Sequence, residues 1–435
     1  MTAFKLGFKK TFSSIRHHRN YRLFFFGQVV SVAGTWMQNV ALAWLILTLT
    51  HSAVAVGILA AARFGPYMLF GLFGGVLADR LDNRRAIMGT QSVQLIGALG
   101  LAVLSLSGVI NEWEVYLLAV VAGFAQIIDT PSRQALTYQL VGRNELANAV
   151  ALNSTLFNVG RIAGPAIAGL LIAGVGSGWC FALNAASFLA VLAALWMMDP
   201  ADLFPLDRHD RPKLVRGLRE GTRYVQNSPR ILAVIGMMTV FSILCFNFNV
   251  LLPVLAKQTL ASGPQTFGII SAAFGVGALV GALFTAAAGK ASLKRLMIGA
   301  ALFTACQFAL APLHSTTVDI GLLFLTGIFF TIYTANSNTY VQLQAPDYIR
   351  GRVLGIYYYA WAGLSPIGAL LTGWLCAWGG TALAFYIAGA AGIAMLGGGY
   401  AYLKHTSPRP TPRPPRPGQK PFESTPTATA QTSTA

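Results

Sequence analysis

Charge is what this chain of 435 residues has least of: Asp, Glu, Lys and Arg together make up 10%, and only 14 residues are acidic. Soluble domains carry roughly 25% charged residues. A water-facing globule is therefore excluded, and most of the surface must face something apolar. Cysteine is scarce as well. Cys180, Cys245, Cys306 and Cys376 stand alone in apolar runs, without the paired spacing of a disulfide framework, and read as small buried hydrophobes. The six histidines form no ligand-spaced cluster, no Gly-x-x-x-x-Gly-Lys-Ser/Thr loop is present, and no credible nucleophile, base and acid set stands out. Those absences argue against an enzyme, a resident metal, a cofactor and ATP as the energy source. Any work must draw on an ion gradient or on the cargo's own gradient.

Long apolar runs are what the chain has in abundance. Hydrophobic residues make up 55%, and about twelve runs follow one another between residues 23 and 403. Some 20 apolar residues at about 1.5 Å rise each cross the ~30 Å hydrocarbon core. The predicted fold is thus an all-α membrane protein with twelve transmembrane helices, its first partner the lipid bilayer. A net charge of +17 in a soluble chain would suggest nucleic acid; here the distribution matters more, and no nucleic-acid partner is expected. With the N-terminus in the cytoplasm, 28 of the 31 Lys and Arg residues fall inside, Arg63 and Arg161 lie within helices, and only Lys257 is outside. The positive-inside rule therefore predicts a multi-pass protein with both termini cytoplasmic.

The segment 1–22 reads as a basic amphipathic stretch ahead of an uncleaved first helix, because the run that follows is too long for a signal peptide. Residues 199–230 break the hydrophobic pattern and divide the spans six and six, giving bundles at 23–198 and 231–403 joined by a cytoplasmic loop. Within that loop Leu214, Val215, Leu218 and Val225 share a face, as in a helix lying on the inner leaflet. The tail 404–435 holds eight prolines in a polar field and is predicted to be disordered.

The two bundles echo each other. A shift of 204 residues brings Gly123, Gly164, Gly169, Gly176 and Phe181 onto Gly327, Gly368, Gly373, Gly380 and Phe385. A shift of 210 brings Arg80, Arg84 and Arg85 onto Lys290, Lys294 and Arg295, while Asp79 meets Gly289. Duplicated six-helix halves are the architecture of alternating-access transporters, with substrate between them near the midplane.

The charged turn between the second and third runs, Gly74-Gly75-Val76-Leu77-Ala78-Asp79-Arg80-Leu81-Asp82-Asn83-Arg84-Arg85, carries five charges between apolar segments. It resembles the signature of the major facilitator superfamily. Asp82 stands where that family usually has a turn glycine, and Asn83 is the residue expected to take the left-handed conformation instead. The resemblance implies a conformational gate of Gly75, Asp79, Arg80, Arg84 and Arg85. Asp79 would hold the start of the eleventh helix through its dipole, and an arginine would engage an acid on the fourth, here Asp129. The plainer alternative is that these cations only fix topology. Asp79→Asn is expected to slow transport without preventing insertion; unchanged transport at equal expression would remove Asp79 from the gate.

A second stretch, Asn158-Val159-Gly160-Arg161-Ile162-Ala163-Gly164-Pro165 continuing to Gly169, resembles the helix-five motif of antiporting, drug-exporting branches, which implies export. Packing alone would also use Gly160, Gly164 and Gly169 for close helix approach and Pro165 for a bend. Arg63 and Arg161 lie about mid-membrane, where a cation costs about 2.5–3.5 kcal/mol and must face a wet cavity, a polar partner or an anionic substrate group. Gln28, Ser31, Thr35, Gln38 and Asn39 share one face of the first helix. With Gln126, Asn247, Asn249, Tyr333, Asn336 and Asn338, and with Tyr357, Tyr358, Tyr359 and Trp361 nearby, they describe a pocket of aromatic and amide groups suited to a large amphiphile, or a set of interhelical hydrogen bonds.

The span from about 20 to 403 is similar to the branch of enterobactin (siderophore) and multidrug exporters, an impression that Asp129-Thr130-Pro131-Ser132-Arg133-Gln134 and Asn148-Ala149-Val150-Ala151-Leu152-Asn153-Ser154 strengthen. The resemblance implies a monomeric secondary transporter of a bacterial inner membrane, exporting a small organic molecule by proton antiport, with Asp129 nominated as the proton carrier. A transport-inactive sensor or scaffold, or an importer of the same fold, are the alternatives.

Overall fold

The computed structural model describes residues 12–205, 214–289, 291–313, 315–346 and 348–405; within the helices, the side chains at 72, 75–79 and 214–216 also lie outside the description. A short α1 (Ser13–His17) leads into α2 (Arg19–Thr50), α3 (Ala53–Arg80), α4 (Asn83–Leu106), α5 (Glu112–Val175) and α6 (Ser177–Trp196). The amphipathic α7 (Leu214–Asn227) precedes α8 (Pro229–Leu244), α9 (Phe248–Val254), α10 (Pro264–Ala287), α11 (Leu293–Leu310), α12 (Thr316–Gln344), α13 (Arg350–Tyr358) and α14 (Ser365–His405). Among the described residues, ten segments are long and apolar enough to cross a membrane. Two of them fold back on themselves: α5 reverses at Gly142 (φ 68°) and α14 at Gly380 (φ 70°), a left-handed backbone that glycine adopts without steric cost. Counting each as two spans gives the twelve crossings of an all-α membrane protein in two six-helix bundles.

Within the first bundle α5 packs on α2, α3 and α4, and α6 on α2 and α4; within the second, α12 packs on α10 and α11, and α14 on α8 and α11. The glycines aligned by the 204-residue shift take equivalent places. A Cβ on Gly123 would strike the Arg63 carbonyl of α3, and one on Gly327 the Phe274 carbonyl of α10. Gly164 lies against Trp36 and Ala33 of α2, and Gly368 against Ile243 and Asn247 before α9. Gly176 and Gly380 both have positive φ, and Phe181 and Phe385 are both wholly buried.

The helix starts after the two basic turns are related as well. The Asp82 carboxylate accepts from Arg85 N at 3.0 Å and caps α4, and the Ser292 hydroxyl accepts from Arg295 N at 3.2 Å and caps α11. This corrects the expectation that Asn83 turns the chain left-handed. Asn83 is the first residue of α4, its amide donates to Gln139 Oε1 at 2.9 Å, and Asp82 stays extended at φ −69°. A capping aspartate makes a turn glycine unnecessary.

Two surface segments are docked onto the bundles. The Ser14 hydroxyl donates to Asn148 Oδ1 at 2.9 Å, and the His17 ring meets the Glu145 carboxylate at 2.7 Å, which ties α1 to the reversal in α5. Helix α7 lies on the second bundle, with Tyr224 and Val225 buried and Glu220 paired with Arg352 of α13. Residues 1–11 and 406–435, and with them most of the basic segment and the proline-rich tail, lie outside the described residues.

The candidate transport cavity and its gates

Between the bundles, α3 packs against α14 and α5 against α10. Both contacts are glycine on glycine. A Cβ on Gly57 would meet the Ala369 carbonyl oxygen at 2.7 Å and Gly373 Cα at 3.3 Å; one on Gly268 would meet the Pro165 carbonyl oxygen at 2.7 Å and Gly169 Cα at 2.9 Å. The duplication exchanges the two clasps, since Gly169 maps onto Gly373 and α3 onto α10. Lys257 adds a polar contact at the same membrane face. Its ammonium donates to Thr48 Oγ1 at 2.8 Å and to the Leu47 carbonyl at 3.3 Å, and lies 5.3 Å from the Trp44 ring. A cation from the second bundle thus sits on the C-terminal end of α2 in the first, where the helix dipole favours it.

Beneath this closure lies a cavity of about 300 Å³ between the bundles. Trp36, Asn39, Arg63, Phe64, Phe157 and Arg161 line it from the first bundle. Phe246, Phe248, Asn249, Phe274, Phe330 and Trp361 line it from the second. The phenylalanines form a connected aromatic wall: Phe246 meets Phe330 edge-on at 4.9 Å, and Phe248 meets Phe274 at 4.6 Å between centroids. Arg63 donates to Asn39 Oδ1 and lies 6.0 Å from the Phe64 ring. Arg161 donates through Nη2 to Asn158 Oδ1 at 3.1 Å, while its buried Nε meets no acceptor among the described residues.

The polar residues read from the sequence divide among three places. Asn39, Asn249, Arg63 and Arg161 reach the central cavity. Thr35 and Gln38, with Arg63 again, line a water-sized void inside the first bundle, where Gln38 Oε1 accepts from Asn184 at 2.7 Å. The rest do not line the cavity. Gln28 is buried, Gln126 donates to Thr130 at 2.7 Å, and Asn338 donates to the Tyr358 hydroxyl at 3.1 Å. Asn247 donates to the Ile243 carbonyl of α8, Asn336 to the Ile332 carbonyl of its own helix, and Tyr333 stacks on Phe241 at 4.9 Å in the core of the second bundle. The aromatic wall went unnoticed in the sequence because 27 phenylalanines in apolar runs mark no particular face.

Asp129 is not the partner of Arg80 or Arg84. Its carboxylate is buried and takes two bonds from Arg133, at 2.6 and 3.0 Å, one from Thr90 at 2.8 Å and one from Gln91 at 2.9 Å. The reason is geometric: Asp129 faces the second turn of α4 rather than the loop, and Arg133 is one helical turn away on its own face. Arg84 instead donates to the Leu195 and Trp196 carbonyls at 2.7 and 3.1 Å, closing the C-terminus of α6. Arg80 and Arg85 are exposed; Gly75, the Asp79 side chain and Lys290 lie outside the described residues. A second buried acid, Asp319 near the start of α12, was passed over in the sequence because it sits at the edge of its apolar run. In helix five, Gly160 and Gly164 press on α2, at Val32 and Trp36, while Gly169 and Pro165 form the clasp with α10.

The family model of the transmembrane secretion effectors matches residues 9–411. The chain belongs to this family, a branch of the major facilitator superfamily. It is 30% identical to the enterobactin exporter of Escherichia coli O1:K1 over 371 residues, covering 83% of this chain and 86% of the exporter. It is 28% identical to the staphyloferrin A transporter of Staphylococcus aureus over 363 residues, covering 80% of this chain and 88% of that protein. Among solved structures, a nucleoside transporter superimposes with a TM-score of 0.70 at 12% identity, over 89% of this chain and all of that one. A bacterial homologue of the lysosomal transporter Spinster gives 0.64 at 14% identity, over 88% and 95%. The protein is a multi-pass secondary transporter of the major facilitator fold, and its family and relatives are transporters rather than enzymes.

Proposed function

We propose that this transporter exports a small organic molecule, a siderophore or a similar amphiphile, across the inner membrane of a bacterium by alternating access coupled to proton entry. The observation that carries the reading is the cavity between the bundles, sealed on one face by two clasps that the duplication exchanges. That face bears Lys257 and lacks the basic turns, so the positive-inside rule makes it periplasmic and places both termini in the cytoplasm. The described conformation is then an inward-facing one, ready to load cargo from the cytoplasm. The domain plan follows the sequence: bundles at 23–198 and 231–403, each moving as a body, terminal extensions at 1–22 and 404–435, and a linking segment 199–230 that begins on the first bundle, where Asn20 donates to the Asp199 carbonyl and Phe204 N to the Gln139 carbonyl, and ends as α7 on the second. The cavity and both clasps are built by one chain, which supports a monomer as the transporting unit.

Asp79, with Gly75, Arg80, Arg84 and Arg85, gates the cytoplasmic side when the bundles rock closed there. Asp129 remains the acid for proton exchange, its release tied to the loss of its bonds from Thr90 and Gln91. The names of the relatives supply the cargo candidates, enterobactin and staphyloferrin A. The test is accumulation in cells: a strain lacking the gene retains more of the cargo and secretes less, and the restored gene reverses both. Equal secretion with and without the gene favours a sensor or scaffold.

A further inference from the structure

The central cavity is cationic: among the described residues Arg63 on α3 and Arg161 on α5 both line it, and no carboxylate does. Their described partners are neutral amides, Asn39 for Arg63 and Asn158 for Arg161, and the Phe64 ring lies 6.0 Å from the Arg63 guanidinium. Arg161 Nε is buried without an acceptor among the described residues. The buried acid of the first bundle does not relieve them, because the Asp129 carboxylate is taken by Arg133, Thr90 and Gln91. Two cations held at mid-membrane depth with neutral partners leave a standing positive field in a medium of low dielectric. A cationic cargo is repelled there, and a neutral one leaves that field unanswered. An anionic group answers both guanidiniums through charge-assisted bonds. The rest of the lining is aromatic, with Trp36, Phe157, Phe246, Phe248, Phe274 and Phe330 forming walls that suit flat rings.

Building on the transporter reading, we infer that Arg63 and Arg161 form an anion subsite and that the cargo is an aromatic organic anion, its charged group between the two guanidiniums and its rings against the phenylalanine wall. The small, mostly apolar void beside Arg63 also brings Thr35, Gln38, Gln94 and Asn184 to the first-bundle side of that arginine.

The experiment uses the full chain in lipid nanodiscs and two fluorescent probes that share a skeleton, anilinonaphthalene sulfonate and its uncharged parent phenylnaphthylamine, with empty discs as background. Arg63→Gln and Arg161→Gln are each expected to weaken sulfonate binding by about tenfold and to change binding of the neutral probe by less than about twofold. Arg63→Lys and Arg161→Lys keep the charge without the fork and are expected to fall between; they also report on the subsite should a glutamine variant fail to give monodisperse protein. Equal losses for both probes, or unchanged sulfonate binding, would overturn the subsite. Displacement of the sulfonate from the wild type by chloride at moderate concentration would assign the arginines to an inorganic anion and overturn the organic cargo. Outward transport by the wild type is measured separately. Intact transport with unaltered sulfonate binding in the variants rejects the anion subsite alone, whereas absent transport rejects the exporter reading whatever the probes do.

Discussion

Replacing Gly268 with leucine is expected to abolish transport while leaving the chain in the membrane at normal yield. Even the first carbon of a side chain would stand 2.7 Å from the Pro165 carbonyl oxygen and 2.9 Å from Gly169 Cα, backbone atoms that cannot swing aside. Overpacking of this kind costs about 1–3 kcal/mol, and the cost falls only on the state in which α5 and α10 touch. A difference of that size shifts a two-state equilibrium by roughly 5- to 150-fold. The bundles then rest apart at that face, and the cycle stalls for want of the closed state. Gly57→Leu at the other clasp is expected to act in the same way, because its Cβ meets the Ala369 carbonyl at 2.7 Å. A cysteine placed at Ser271, on the cavity wall, makes the shift visible, since all four native cysteines are buried. An impermeant maleimide added from outside should label it slowly in the parent and rapidly in Gly268→Leu. Equal labelling with normal transport would mean that the clasps are ordinary packing.

Asp129→Ala is expected to be the most destabilising single change in the first bundle. It removes the acceptor of four hydrogen bonds and leaves the Arg133 guanidinium, 26% exposed, beside the face it was paired with. Breaking a buried ion pair by deleting one partner costs about 3–5 kcal/mol, and the partial exposure of Arg133 puts the expectation at the lower end. A clear fall in the thermal midpoint in detergent is the readout. Asp129→Asn, which keeps an acceptor for Thr90 and Gln91, should recover part of it. Arg84→Gln serves as the control: it loses two carbonyl contacts on α6, and its effect should add to that of Asp129→Ala within about 0.5 kcal/mol, as it does for sites without shared partners. Marked non-additivity would restore the Arg84 to Asp129 pairing that the geometry denies.

The fold was legible because its main signals are carried by composition. Apolar runs of membrane length gave the spans, and the glycine spacing of the repeat marked positions whose packing partners turned out to be equivalent, Gly123 with Gly327 and Gly164 with Gly368. The site was less legible. Most of these helices are apolar all round, so the period of 3.6 residues does not distinguish lipid from core from cavity. The polar face of α2 shows the consequence: Asn39 enters the cavity, Gln38 turns into the first bundle toward Asn184, and Gln28 is buried nearer the other end. A shared face on one helix says nothing of which neighbour covers each turn. The partner of Asp129 was hidden for a similar reason. The loop arginines are conspicuous in the sequence, but Arg133 at i+4 lies closer than any of them.

The most direct test of the account is transport in everted membrane vesicles made from cells expressing this chain. With enterobactin as cargo and respiration supplying an acidic interior, the account predicts uptake into the vesicles that a protonophore abolishes and that the Gly268→Leu variant lacks. Uptake by right-side-out vesicles instead, or uptake in the everted ones that ignores the protonophore, would contradict proton-coupled export.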